Sequence, residues 1–513
     1  DCDDTEADHN PDADETCDGD DDDCDGNIDE SDAVDAATWY ADSDGDGFGD
    51  ATSTNTACAE PSGYTAIDTD CDDTDSDVHP DAEEVCWGTA DSDCDGDAGL
   101  TDTDCDPDGT SSHTEVDTSV GGTASYDYLA TAMASGADVD GDGLDDLLIT
   151  SIQHGSAGEA WLVYGSTSLS SSSLSLTGAD REFRSGAGSD QLGGGAALAD
   201  ISGDGLADVI LGDTSFDLTA NEGAVYLFFG AASTTGATTI ASADLTVTTT
   251  EAAAYLGVVQ GGDLDGDGIA ELLAAAPYAD GRHGLAADTG KLGIFVGPLS
   301  GSVDLDDADR RLWGEFPKDY APSDLSIVPD IDGDGYDDLV VAVSARDFED
   351  ESDGAVYVFT HATAGDDGSL GLADTLIRGA GGGFGESVAG GDIDADGYGD
   401  LVVGLPSDST NGTYAGAALI FQGPLGLNGQ LDASDADTAL LGEDSGDNAG
   451  DSVAVADTDA DGYLDVLVGA WLHDSGGSSA GAVWKVRGPI TASSLDLQHA
   501  DWRQDGDAGD RLG

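Results

Sequence analysis

Six times between residues 138 and 465 the chain writes the same nine-residue loop, and this repetition limits the fold more than any other feature. The first copy puts Asp138, Asp140, Asp142 and Asp146 at positions 1, 3, 5 and 9, with Gly143 at position 6 and the main-chain carbonyl of Leu144 at position 7. Carboxylates at those positions, a Gly where the chain must turn sharply and one carbonyl form the oxygen cage that a hard cation such as Ca²⁺ takes. The other copies are Asp200, Ser202, Asp204, Leu206, Asp208; Asp263, Asp265, Asp267, Ile269, Glu271; Asp330, Asp332, Asp334, Tyr336, Asp338; Asp392, Asp394, Asp396, Tyr398, Asp400; and Asp457, Asp459, Asp461, Tyr463, Asp465. First aspartates are spaced 62, 63, 67, 62 and 65 residues apart, which is the signature of a repeat architecture. Ser202 at position 3 makes the second cage the weakest expected, and Glu271, Ala395 and Ala460 are smaller departures.

An apolar strand follows each loop, as in Leu147-Leu148-Ile149, Val209-Ile210-Leu211 and Leu339-Val340-Val341. After a Gly-rich turn comes a third strand such as Gly354-Ala355-Val356-Tyr357-Val358-Phe359, then a more polar segment such as Leu174–Leu176 or Leu495–Leu497, read here as the fourth strand and outer edge. Four short strands per repeat, apolar on both faces in the middle, describe an all-β propeller whose blades are buried between neighbours. Residues 126–513 give six complete repeats, and Asp510-Arg511-Leu512-Gly513 matches the opening of another. Seven blades are therefore expected, the seventh completed by residues after Gly513 or by a partner chain, with a closed ring of six as the alternative.

The acids number 109 against 13 Lys and Arg, which excludes nucleic acid as a partner. Asp exceeds Glu about five to one, as short carboxylates in tight metal loops would require. Even about ten bound Ca²⁺ ions would offset only about 20 charges of a formal -96, so a saline medium with short screening lengths is expected as well. No apolar run approaches the roughly 18 residues of a membrane span.

All eight Cys fall in the first 105 residues, the pattern of a disulfide framework in an oxidising, extracellular setting. That stretch is written twice: Asp1-Cys2-Asp3-Asp4 matches Asp70-Cys71-Asp72-Asp73, and Cys17 and Cys24 match Cys86 and Cys94, at an offset of 69 to 70 residues. The offset favours the pairs Cys17–Cys24, Cys58–Cys71 and Cys86–Cys94. Candidate metal ligands are Asp21, Asp23, Asp25, Asn27 and Asp32 in an EF-type spacing, and Asp42, Asp44, Asp46, the Phe48 carbonyl and Asp50 in a loop of the propeller kind. Asp68, Asp70, Asp72, Asp91, Asp93 and Asp95 are added from the second copy. With few apolar residues, metal and disulfides must supply most of the order here. Residues 106–125 read as a linker rich in Pro, Gly, Ser and Thr.

Two resemblances rest on these motifs. Residues 1–105 resemble MopE-type Cys/Asp-rich metal-binding repeats, on Asp-Cys-Asp-Asp and Cys-Asp-Gly, and are similar in style to thrombospondin type 3 repeats. Residues 126–513 resemble FG-GAP repeats, the blades of the integrin alpha propeller, with Phe384-Gly385 as the FG half and Ala275-Ala276-Pro277 and Gly404-Leu405-Pro406 as the GAP half. The second resemblance implies Ca²⁺ as cofactor, bound in the loop between the first and second strands of each blade. The function it implies is that of an extracellular calcium-binding structural or adhesion protein, secreted or held at the cell surface. Its ligand would be a protein or glycan, or copies of itself. The alternatives are a subunit of an extracellular filament or sheath, and a polysaccharide-binding or polysaccharide-degrading propeller. No enzyme is expected: Gly477-Ser478-Ser479-Ala480-Gly481 fits a nucleophile elbow in letters, but it precedes a strand where the elbow needs a helix.

Overall fold

The computed structural model describes residues 9–74, 78–80, 94, 111–112, 120–121 and 129–513, except 153–157, 166–173, 177–178, 186–190, 216–221, 232–234, 283–285, 347–352, 364, 426–428, 459–461, 476, 491 and 507–510. The chain divides into two compact units, Asp1–Thr110 and Ser111–Gly513.

In the second unit each repeat is one antiparallel blade. The fourth shows the pattern: Asp324–Pro329, Asp337–Val343, Ala355–Phe359 and Thr375–Arg378 pair in that order, and the second and third strands are almost wholly buried. Val, Leu, Ile and Ala fill those strands on both faces because each face meets another blade. Five apolar clusters lie between successive blades, one for each junction from blades 1 and 2 to blades 5 and 6. Phe384, for example, is fully buried among Val340, Val356 and Val403 at the junction of blades 4 and 5.

A glycine locks each junction. The third strand is preceded in every blade by a residue in the left-handed region: Gly158, Gly223, Gly290, Gly354, Gly416 and Gly481, with φ between 72° and 84°. A Cβ on any of them would lie 1.9–2.3 Å from the carbonyl oxygen that opens the following repeat: Leu192, Leu256, Ala321, Phe384, Ala449 or Leu512. Leu512 sits on Gly481 as Leu256 sits on Gly223, through the same parallel bridge. No side chain larger than hydrogen fits there.

The polar segments expected to be fourth strands have another place. The fourth strands of blades 1 and 6 are Arg181–Arg184 and Trp502–Asp505, whereas Leu174–Ser175 and Ser494–Asp496 run parallel to other strands, Ser494–Asp496 to the fourth strand of the preceding blade. Gly236–Thr239, Gly301–Asp304, Gly368–Ser369 and Gly429–Asp432 do the same on blades 1 to 4. Each edge is thereby paired by its neighbour, which blunts a template for aggregation. Period and polarity locate these segments but not their partner.

The parallel pairing continues past blade 6, where Ser111–Ser112 joins Trp502–Asp505, and Val120–Gly121 joins Leu174–Ser175 of blade 1. Ser111 and Val120 stand nine residues apart, as do Gly236 and Leu245, Gly301 and Arg310, and Gly429 and Thr438, the starts of the edge and fourth strands. The two short strands thus repeat that pair at a position between blade 6 and blade 1. This arrangement fits seven positions; the pairing of a ring of six would bring blade 6 directly to blade 1.

One buried charge pair ties loops within blade 6. His473, 1 % exposed, holds Asp447 through Nδ1 at 2.8 Å, with Asp505 3.7 Å from Nε2 and Arg503 behind it. In blade 4 the same place belongs to Arg346, which pairs with Glu315 and Asp319; the main-chain carbonyls of both residues accept the N–H of the locking glycine. Burial alone would lower the His473 pKa, but the Asp447 hydrogen bond and charge outweigh it and leave it raised. A raised folded value contributes stability that is complete below the unfolded value of about 6.5 and is lost as pH rises through the folded value. In saturating calcium the melting midpoint is expected to fall between pH 6 and pH 9, and His473→Gln to remove most of that slope. Equal slopes in the two proteins would show that His473 carries no charge there.

The first unit holds a three-stranded sheet in which Ala37–Ala41 lies between Asp50–Ala57 and Tyr64–Thr65. Its disulfides include Cys17–Cys58 and Cys71–Cys94, so the expected pairs Cys17–Cys24 and Cys58–Cys71 are corrected, as is Cys94 in the pair Cys86–Cys94. The reason is the hairpin: Ala57 pairs with Ala37, which returns Cys58 to the side of Asp35, whose carboxylate accepts the Cys17 N–H at 2.8 Å. Cys24 is also disulfide-bonded. Cys2, Cys86 and Cys105, residues 106–125 other than Ser111, Ser112, Val120 and Gly121, and Asp91, Asp93, Asp95, Asp459 and Asp461 lie outside the described residues. Ser111, Ser112, Val120 and Gly121 form strands of the second unit, so the expected linker is corrected there.

Candidate metal centres

Each propeller loop joins the first strand of a blade to the second, and its own backbone aims the carboxylates. The Gly at position 6 donates to the position-1 carboxylate in all six loops: Gly143 to Asp138, Gly205 to Asp200, Gly268 to Asp263, Gly335 to Asp330, Gly397 to Asp392 and Gly462 to Asp457, at 2.7–3.1 Å. Position 7 donates to the position-5 carboxylate in the first five, as Tyr336 does to Asp334 at 3.0 Å. Those bonds fix the orientation of the position-1 and position-5 carboxylates, whose remaining lone pairs, together with the position-7 carbonyl, would serve a cation.

Position 9 lies at the floor of the loop, at the start of the second strand, and is 0–1 % exposed in every blade. Val139, Leu264, Ile331, Ile393 and Thr458 at position 2 donate to it; in blade 2 the donor is Ser202 at position 3, a local change that accompanies the missing third aspartate. Burial pushes the Asp208 and Asp400 carboxyls up to about 6 and those of Glu271 and Asp338 up to about 7, with neighbouring loop aspartates adding to it. Asp465 runs the other way, held below the usual range by its bonds from Thr458 against the effect of burial. Glu271 Oε1 and Asp338 Oδ1 are buried without a hydrogen-bond partner. A buried anionic oxygen of that kind is costly unless a cation or donor meets it, so the residues present fit a bound hard cation. One oxygen each from Asp138, Asp140 and Asp146 lie within 4.8 Å of one another, the span of a single ion's ligand shell.

Neighbouring cages are joined. Position 8 of one loop donates its N–H to the position-1 carbonyl of the loop before it: Ala207 to Asp138, Ala270 to Asp200 and Gly399 to Asp330, at 2.9–3.2 Å. The position-7 side chain lies over the preceding loop's position-4 glycine, where a Cβ at Gly266 would stand 2.6 Å from Tyr336 and one at Gly333 2.6 Å from Tyr398. Sequence spacing shows neither contact.

In the first unit the Asp21 loop folds as the propeller loops do, with Gly26 donating to Asp21 and Asn27 to Asp25. The candidate groups are Glu15, Asp21 and Asp23, then Asp23, Asp25 and Glu30. Glu15 and Glu30 are residues that sequence reasoning missed. Glu15 is 4 % exposed and receives the N–H groups of Asp22, Asp23 and Asp29, a role that only the folded chain reveals. Asp32, Asp68 and Asp72 are exposed. The Asp42 loop forms two further groups, Asp42, Asp44 and Asp73, and Asp44, Asp46 and Asp70.

Comparison with known proteins follows this division. The FG-GAP repeat family model matches residues 257–295, 321–359 and 384–421, and a metal-binding motif named for the copper-binding MopE matches 1–30 and 70–98. Integrin alpha pat-2 of Caenorhabditis briggsae is 28% identical over 225 residues, 41% of this chain and 17% of the relative. Integrin alpha-8 of Mus musculus is 30% identical over 258 residues, 48% of this chain and 22% of its own length. Phosphatidylinositol-glycan-specific phospholipase D of Bos taurus is 31% identical over 195 residues, 35% of this chain and 22% of the enzyme. The chain spans about a fifth of the length of the curated relatives it matches. The two sets of motifs lie in different parts of the chain: its β-propeller blades carry FG-GAP repeats similar to those of integrin alpha subunits, and its first hundred residues carry MopE-type metal-binding motifs.

Proposed function

We propose that the chain is a calcium-binding adhesion or structural module that works outside the cell, secreted or at its surface. The observation that carries this reading is the six-fold repeated loop whose position-9 carboxylate is buried in every blade, with an oxygen left unpartnered at Glu271 and Asp338, a cage that a divalent cation would complete. Each ion would pin the first hairpin of its blade and, through the contacts between loops, the junction with its neighbour. The donors are hard oxygens, which favour Ca²⁺ over copper, since copper sites draw on imidazole and sulfur. Disulfides in the first unit support an oxidising location. Rigid blades presenting loops at the strand ends would then display a surface for a protein or glycan ligand, and no catalytic role is proposed for any residue.

Beads coated with the purified chain test the reading. They are expected to clump, or to bind cells, in millimolar Ca²⁺ and to disperse in EGTA. Beads indifferent to calcium would argue against it, and filaments by electron microscopy would favour a sheath subunit.

A further inference from the structure

We propose that the cation held by the Asp42–Asp46 loop takes its buried ligand from Asp70, at the head of the second Cys/Asp module, and not from Asp50, the loop's own position 9. The inference rests on reading these loops as calcium cages.

In the propeller loops position 9 is fully buried beneath the cage. Asp50 is not: it is half-buried, and both its oxygens are taken by the Thr52 hydroxyl at 2.8 Å, with the Thr52 N–H adding a third bond at 2.8 Å. Those bonds hold its carboxyl below the usual range, as suits an acid already satisfied by its own strand.

Asp70 fills the place that Asp50 leaves. A parallel bridge sets it beside Asp50, and its N–H donates to the Gly49 carbonyl at 3.3 Å. It is 9 % exposed; Oδ1 accepts the Asp72 N–H at 2.8 Å, and Oδ2 is buried without a partner. Asp44 Oδ2 and Asp46 Oδ2 are in the same condition, and one oxygen from each of the three residues lies within 4.8 Å of the others. Three buried anionic oxygens so close repel one another and have lost their water, which a divalent cation between them would offset. Asp73 approaches from the other side, where its oxygens accept the Ser43 N–H and hydroxyl, both at 2.7 Å, and it groups with Asp42 and Asp44. Cys71, between Asp70 and Asp72, is bonded to Cys94, so the disulfide anchors the segment that delivers the ligand.

Counting calcium ions on the intact chain by native mass spectrometry, at a fixed free Ca²⁺ near 1 mM, tests this. Peptide mapping of the Cys71–Cys94 bridge restricts the comparison to chains whose module has formed. Asp70→Asn is expected to carry one ion fewer than the wild type, Asp50→Asn the same number, and Asp70→Glu to regain the ion. An Asp70→Asn chain with the wild-type count, or loss of the ion from Asp50→Asn instead, would overturn the assignment of ligands while leaving calcium binding intact. A wild-type chain without calcium would remove both.

Discussion

Chelation with EGTA is expected to lower the melting midpoint of the propeller by more than about 10 °C, or to unfold it at room temperature. The cages supply the reason. Without a cation the first loop holds oxygens of Asp138, Asp140 and Asp146 within 4.8 Å of one another, and in every blade the position-9 carboxylate is buried at the floor of the loop. An ion that binds only the folded state adds about 1.4 to 2.7 kcal/mol per site at ten to a hundred times its Kd. Six such sites sum to about 8 to 16 kcal/mol, as much as a whole domain's stability. Calorimetry in 10 mM Ca²⁺ and in EGTA measures the effect. Superimposable curves would mean that the loops hold their shape without metal.

The second large effect concerns the junction glycines. Gly290→Ala is expected to destabilise the chain by about 4 kcal/mol or more, whereas Gly268→Ala costs only about 1 to 2 kcal/mol. Both residues have φ near 85°, so the left-handed conformation penalises alanine at each. They differ in what the new methyl group meets. At Gly268 nothing lies within 4 Å, while at Gly290 the Ala321 carbonyl oxygen would be 1.9 Å away, on the backbone that opens the next blade. A backbone atom in a packed junction has no rotamer through which to yield. Urea unfolding of the two variants decides the matter, and similar losses would show that the junction can open to admit a methyl group.

That contrast marks what could be read from the letters of the chain. Asp138, Asp140 and Asp142 declare a cage because ligand type and spacing are local properties, and Leu339-Val340-Val341 declares a buried strand because burial on both faces leaves no polar alternation. Gly290 reads only as a turn; its tie to Ala321 depends on two blades meeting. The parallel edge strands failed for the same reason: Ser494–Asp496 has the composition of an outer strand, but the strand it pairs with, Thr438–Leu441, belongs to the preceding repeat. The disulfides were misread because an offset between repeats compares like with like, while the Ala37–Ala57 pairing brings unlike cysteines together. Glu15 carried no signal at all, being one acid of an acidic stretch with Asp12, Asp14, Asp18 and Asp20, six residues before the loop it serves.

Crystals grown in calcium and measured at long wavelength test the central claim most directly, because the anomalous signal locates each ion without reference to the loop geometry. The expected map has a peak inside each of the six propeller loops, ligated by the carboxylates at positions 1, 3 and 5 and by the position-7 carbonyl, with the blade 2 peak at Ser202 the weakest. Loops without anomalous density at millimolar calcium would contradict it.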